Sequence, residues 1–180
     1  MKSIVSTGLL VGASAVVLVA CANTGTGPSE DARPDATTVC DTSYPPTWNN
    51  GPDADRTVNV IMINCSSQEL QFDTDIWTID HGELWLEDNV GGSSGSLVAF
   101  TGKGLVEVES DGFLTGAEGT GYLGTPQNPN DTQITLNFDD PYAGGNSFSC
   151  SAQNPALACT VSTSGNDNAI AVYIVKDSGS

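Results

Sequence analysis

Arg56-Thr-Val-Asn-Val-Ile-Met-Ile-Asn-Cys65 is the stretch that decides the fold. It is rich in β-branched residues, which suit a pleated backbone, and it contains no glycine or proline. At a period of two, Val58, Val60 and Met62 fall on one face, and Asn59, Ile61 and Ile63 on the other. Apolar groups on both faces predict a strand at the centre of its sheet.

Downstream, short runs of the same kind recur: Glu69–Trp77, Glu83–Leu86, Ser96–Phe100, Leu105–Glu109, Gly119–Gly124, Thr132–Phe138, Ser147–Cys150, Ala158–Thr163 and Ala169–Val175. Ile134, Leu136 and Phe138 alternate with Thr135 and Asn137; Ile170, Val172 and Ile174 alternate with Ala171 and Tyr173. In Leu105–Glu109 the alternation predicts Val106 and Val108 inward and Glu107 and Glu109 outward. Turn clusters separate the runs: Asn89-Val-Gly-Gly-Ser-Ser-Gly, Pro126-Gln-Asn-Pro-Asn-Asp, Ala143-Gly-Gly-Asn and Ser164-Gly-Asn-Asp. No convincing helical period and no fixed repeat accompanies them. The expected fold is all-β, a single antiparallel β-sandwich over residues 40–180.

The front of the chain is different. Lys2 is the one charge before Glu30, and Ile4 to Ala20 is apolar or small. A charged start, an apolar core and small residues before a boundary form the secretory pattern, and the run is short for a spanning helix of about 20 residues. Leu18-Val19-Ala20-Cys21 resembles the lipobox of bacterial lipoproteins. In that group the cysteine thiol takes a diacylglycerol and the leader is cut before it. Residues 1–20 are thus expected to be a lipoprotein signal peptide, with Cys21 as the lipidated new N-terminus. Two or three acyl chains, at about 0.8 kcal/mol per buried CH2, hold a protein on a membrane. Ala22 in the following position implies outer-membrane sorting if the cell is Gram-negative. From Ala22 to Thr38 there is no large apolar residue, so residues 21–39 read as a flexible tether.

Charge narrows the partners. The chain has 5 basic and 22 acidic residues. Without Lys2, four basic residues face all 22 acids, and the net side-chain charge moves from −17 to −18. Phosphate backbones are repelled, which excludes nucleic acid. The acids serve solubility; calcium is the sharper alternative, at the close pairs Asp53/Asp55, Asp73/Asp75 and Asp139/Asp140, none of which completes an EF-hand spacing. No other cofactor is implied. Four cysteines remain after Cys21. In an exported chain they predict two disulfides, for which three connectivities are open; the short local pair Cys150–Cys159 is favoured, which leaves Cys40–Cys65. A zinc site would need more than the lone His81 and no CxxC pair.

Catalysis finds little support. His81 lies between Asp80 and Glu83, but no G-x-S-x-G nucleophile elbow is present. Paired carboxylates of the glycosidase kind arise readily among 22 acids, and no phosphate-cradling glycine loop precedes a helix. The chain is therefore expected not to be an enzyme.

Three segments in order carry a resemblance: His81-Gly-Glu-Leu-Trp85; Glu109-Ser-Asp-Gly-Phe-Leu-Thr-Gly-Ala-Glu-Gly119; and Phe138-Asp-Asp-Pro-Tyr-Ala-Gly-Gly-Asn-Ser-Phe-Ser-Cys150. Together they resemble the aegerolysin-like and crystal-protein-like β-sandwiches of bacteria and fungi. The resemblance implies a single non-enzymatic sandwich that binds membrane lipids, sometimes as the targeting half of a two-part pore-forming toxin. The matching positions are His81, Gly82, Trp85, Asp111, Gly112, Phe113, Gly116, Glu118, Gly119, Asp139, Asp140, Pro141, Tyr142, Gly144 and Asn146. The lipobox and tether depart from that pattern, since a sandwich fixed to its own cell is not a diffusing toxin.

The expected ligand residues are Trp85, Phe113, Tyr142, His81, Asp140 and Asn146. Phe113 and Tyr142 are the favoured loop-tip pair, because an aromatic with an apolar face suits a lipid headgroup or a sugar. The expected function is a surface-anchored lipoprotein that binds a membrane lipid or glycan. The alternative is an accessory envelope lipoprotein acting through protein partners.

Overall fold

The computed structural model describes residues 40–44, 54–85 and 93–180, all within one compact unit, Thr37–Ser180. The expected leader, the tether with Cys21, and Asp53 lie outside the described residues. Eleven strands are described: β1 (Thr57–Asn64), β2 (Leu70–Asp73), β3 (Thr78–His81), β4 (Glu83–Trp85), β5 (Ser94–Leu97), β6 (Gly102–Glu109), β7 (Ala117–Gly124), β8 (Ile134–Asp140), β9 (Ser147–Ala152), β10 (Leu157–Ser164) and β11 (Asn168–Asp177). One sheet runs β10-β11-β1-β6-β4 and the other β5-β2-β7-β8-β9, with β3 also on β7. This is the expected all-β sandwich, and β1 is central in its sheet.

The alternation read from the sequence explains the packing. Val58, Val60 and Met62 of β1 join Val106, Val108, Ala169, Ala171 and Tyr173 in the main core, against Leu123, Ile134, Leu136 and Phe138 of the other sheet. Fully burying one such large side chain contributes roughly 1.5–3 kcal/mol. The Tyr173 hydroxyl donates to the Asn137 carbonyl at 2.6 Å, a polar tie between the two sheets, and burial pushes its pKa up. Trp77 is core, 8% exposed, tilted against Phe138 at 6.1 Å between ring centroids. It lies over Gly121, where a β-carbon would come within 2.9 Å of the indole, so the glycine makes the seat for the ring.

Four features differ from expectation. First, Glu69–Trp77 is not one strand. A one-turn 3-10 helix, Thr74–Ile76, capped by the Asp73 carboxylate on the Asp75 N–H, divides it. The chain then resumes as β3, and both halves pair antiparallel with β7. Secondly, Ser94–Leu97 precedes the strand expected at Ser96–Phe100, because a turn begins at Val98. Thirdly, β1 and β11 pair in parallel, Thr57 opposite Asn168 through Asn64 opposite Val175; the remaining described pairings are antiparallel.

Fourthly, Glu107 and Glu109 are buried, 1% and 6% exposed, rather than facing water. The outer face of their sheet carries a second apolar cluster: Ile61, Ile63, Leu105 and Val172, with Cys40, Cys65, Ile170 and Ile174 packed against it. Alternation along β6 separates two faces correctly, but here neither face is open to solvent.

Both disulfides are those expected. Cys40–Cys65 ties the segment before β1 to the end of that strand, and Cys150–Cys159 joins β9 to β10, the edge strands of opposite sheets.

Candidate functional site

One end of the sandwich gathers most of the sequence-predicted residues. Register places them there: Thr57 is opposite both Glu109 and Asn168, Glu83 opposite Glu109, Ala117 opposite Asp140, and Asp139 opposite Ser147. The β3–β4 turn, the β6–β7 loop (110–116), the β8–β9 loop (141–146) and the β10–β11 turn (165–167) therefore share this end with the residues entering β1.

Arg56 organises it. Its guanidinium donates to Asp140 Oδ1 at 2.8 Å and to the Tyr142 carbonyl at 3.0 Å, and it lies 3.1 Å from Asp167 Oδ1. The same group sits 5.6 Å from the Tyr142 ring centroid, a cation–π distance. Asp140 has no exposed surface; burial pushes its carboxyl up while Arg56 pulls it down. A second clip, Asn146 Nδ2 donating to the Asn166 carbonyl at 2.9 Å, fixes the β8–β9 loop to the β10–β11 turn. Asp140 and Asn146 thus brace the loops. Asp140 in particular offers no surface to a ligand, contrary to its expected role.

His81 closes β3. Its Nδ1 lies 2.9 Å from Glu118 Oε2 across the β3–β7 pairing. Among the described residues no serine hydroxyl is hydrogen-bonded to the ring. Gly82 follows at φ +91°, where a β-carbon would collide with the Glu109 carbonyl oxygen, so this position of the HG segment is required by the turn itself. The hydrogen bond to Glu118, and then its charge, raise the His81 pKa. A raised histidine pKa stabilises the fold below the unfolded value near 6.5 and is lost as pH rises through the folded value. An NMR titration of the His81 ring should have its midpoint above that reference, and Glu118→Gln should bring it down.

Two side chains stand out into solvent. Phe113 is 84% exposed and Leu114 beside it 49%. Leu114 is held at φ +67°, a left-handed backbone that L-residues adopt at a cost of about 1–3 kcal/mol and that clusters at functional loops. Tyr142, 40% exposed, belongs to the β8–β9 loop at the same end. Of the five large apolar side chains exposed among the described residues, three are here; Tyr44 and Val98 lie elsewhere.

Trp85 is not brought to the tip. It is half-buried on edge strand β4, opposite Glu107 on the second face of its sheet. Arg56 and Leu114 were missed by sequence reasoning. Leu114 carried a signal, adjacency to Phe113 in a glycine-flanked loop. Arg56 read only as the start of a strand, 84 residues from Asp140.

For metal, the Asp139/Asp140 pair is split by the pleat, Asp139 half-buried on the outer side and Asp140 buried on the inner side of β8. Asp73 is engaged as a cap. Among the described residues no group of three His, Cys, Asp or Glu is placed to hold an ion.

The geometry defines a class: a β-sandwich with braced loops at one end and an aromatic-aliphatic tip. Known structures share that fold. The chain is similar to RahU protein, solved in complex with a TRIS molecule, at 13% identity and a TM-score of 0.56 over 71% of this chain and 99% of that one. It is also similar to the lipid binding protein Nakanori, at 11% identity and a TM-score of 0.51 over 68% of this chain and 72% of that one. At such identities the likeness is one of fold. No protein-family model matches the sequence, and no curated protein matches it.

Proposed function

We propose that this protein is a cell-surface lipoprotein, held through Cys21, that binds a membrane lipid or glycan at its loop end and has no catalytic role. The observation that carries the reading is the exposure of Phe113 and Leu114 at the same end of the sandwich as Tyr142, whose loop Arg56, Asp140 and Asn146 hold in place. Large apolar side chains exposed together at one end of a domain mark a contact surface. The likeness of fold to a protein described as lipid binding supports the lipid half of the reading. The lipobox-like Leu18-Val19-Ala20-Cys21 supports the anchor. The polar spacer after it lets the sandwich reach away from the membrane that holds it.

The domain is testable free of the anchor, because Thr37–Ser180 is compact and contains the core and both disulfides. Residues 37–180 should bind lipid vesicles or spots on a glycan array. Phe113→Ala and Tyr142→Ala should each weaken that binding by about tenfold, the worth of one apolar side chain taken from water. Stability should change by no more than about 0.5 kcal/mol for the exposed Phe113. Binding indifferent to both substitutions would remove the site. Stoichiometric capture of one envelope protein, with no lipid or sugar binding, would favour the accessory role. Separately, palmitate labelling of the full chain should vanish with Cys21→Ser.

A further inference from the structure

We infer that the tip docks on bilayers whose surface carries no net negative charge, and that an acidic collar around it rejects anionic ones. The inference rests on the lipid reading above and specifies the membrane. Two independent features of the same end carry it.

The first is the tip. Phe113 and Leu114 project from the β6–β7 loop at 84% and 49% exposure. Two adjacent side chains are too little for a stable protein–protein interface, which takes on the order of 20 residues a side, but they suit shallow entry into the headgroup and acyl boundary. Leu114 holds this place with a left-handed backbone.

The second is the charge around the tip. Asp80, Glu83, Asp111, Glu118, Asp139 and Asp167 belong to the strands and loops of this end. Asp80, Glu83 and Asp111 are exposed. Against them stands Arg56, already paired with Asp140 and Asp167, and His81, paired with Glu118. The other described basic residues are at the far end: Lys103 near the start of β6, bound to Asp41, and Lys176 near the end of β11. Docked by its tip, the sandwich turns the exposed carboxylates of this end toward an anionic surface. Exposed carboxylates that come within a Debye length, about 8–10 Å, of such a surface are repelled by it. A second copy of the chain is excluded as the occupant by the same argument, since two collars would face each other. A zwitterionic bilayer places ammonium groups outermost and opposes neither feature.

The test uses residues 37–180 and sedimentation with vesicles of phosphatidylcholine alone or with about 30% phosphatidylglycerol, at about 0.05 M and about 0.5 M NaCl. Binding to neutral vesicles is expected, at least tenfold weaker on anionic ones at low salt, with the gap closing at high salt. Phe113→Ser with Leu114→Ser should abolish binding to both. Asp80→Asn, Glu83→Gln and Asp111→Asn combined should cut the neutral-to-anionic ratio to about threefold or less. Leu114→Gly should weaken binding while leaving the melting temperature unchanged or higher, which a purely structural leucine would not do. Equal or stronger binding to anionic vesicles would overturn the charge filter and leave the lipid reading standing. No binding to any vesicle would overturn both.

Discussion

Arg56→Met is expected to lower the stability of residues 37–180 by about 3–5 kcal/mol at neutral pH, the usual cost of leaving one member of a buried ion pair uncompensated. Arg56 is largely covered and Asp140 wholly so, so the carboxylate left behind cannot recover its hydration by a small movement. The pH dependence follows from the direction of the Asp140 shift. Its pKa is raised by burial, and Arg56 is the main influence pulling it back down. Without Arg56 the folded form holds a proton to higher pH than the unfolded chain does. Stability therefore falls as pH rises through that window and is recovered in acid. Chemical denaturation at about pH 7 and about pH 4 checks this: the deficit of Arg56→Met should shrink at the lower pH. A deficit independent of pH would mean that Arg56 acts through packing alone. The double variant Arg56→Met with Asp140→Leu should recover much of the loss, since an apolar pair of similar volume often replaces a buried ion pair without penalty. The proposed membrane or glycan binding should fall in Arg56→Met even where folding is retained, because Tyr142 loses both the cation over its ring and the donor on its carbonyl.

Reduction of both disulfides should cost more. Loop-closure entropy for a separation of 9 residues in Cys150–Cys159 corresponds to about 2.5 kcal/mol, and for 25 residues in Cys40–Cys65 to about 3.5 kcal/mol. The sum, about 6 kcal/mol, is comparable to the whole stability of many domains. Residues 37–180 in reductant should therefore unfold at markedly lower urea, with the single cross-link variants in between. The local effects should differ too. Cys150–Cys159 joins the edges of opposite sheets, so its loss should open β9 and β10 to hydrogen exchange. Loss of Cys40–Cys65 should expose Ile61, Ile63 and Leu105, against which those cysteines pack. An unchanged unfolding midpoint in reductant would mean that the cross-links contribute nothing.

Much of the fold was legible because strand alternation reports which residues share a face. Val58, Val60 and Met62 separated from Ile61 and Ile63, and the structure puts them in two different cores. Alternation does not report what covers a face. That is why alternation alone places Glu107 and Glu109 in water, although their side of the sheet is packed over. Nor does it show a break of one turn: Thr74–Ile76 carries the same residue types as its flanks, and the interruption is set by the Asp73 cap. The loop end was legible where chemistry is local. Phe113 and Tyr142 stand in glycine-rich loops, as their neighbours in sequence indicate. Asp140 and Arg56 were not, because their pairing depends on contact between a β1 entrance and a β8 exit that sequence separates widely. Trp85 illustrates the reverse: its residue type suits a binding tip, and its register places it on a sheet face instead.

The parallel contact between β1 and β11 has a consequence for how the molecule is made. Partners such as Thr57 and Asn168 are 111 residues apart, and among the described strands it is β11 that fills that edge of β1. As synthesis proceeds, β1 can pair with β6 on one side but waits on the other until β11 has been made. Contacts of such long range form slowly. The β1–β6 pairing and the β7-β8-β9 run can form before it, whereas a stop before Asn168 leaves that edge of β1 without its partner. Docking of β11 is the step that completes this sheet around β1.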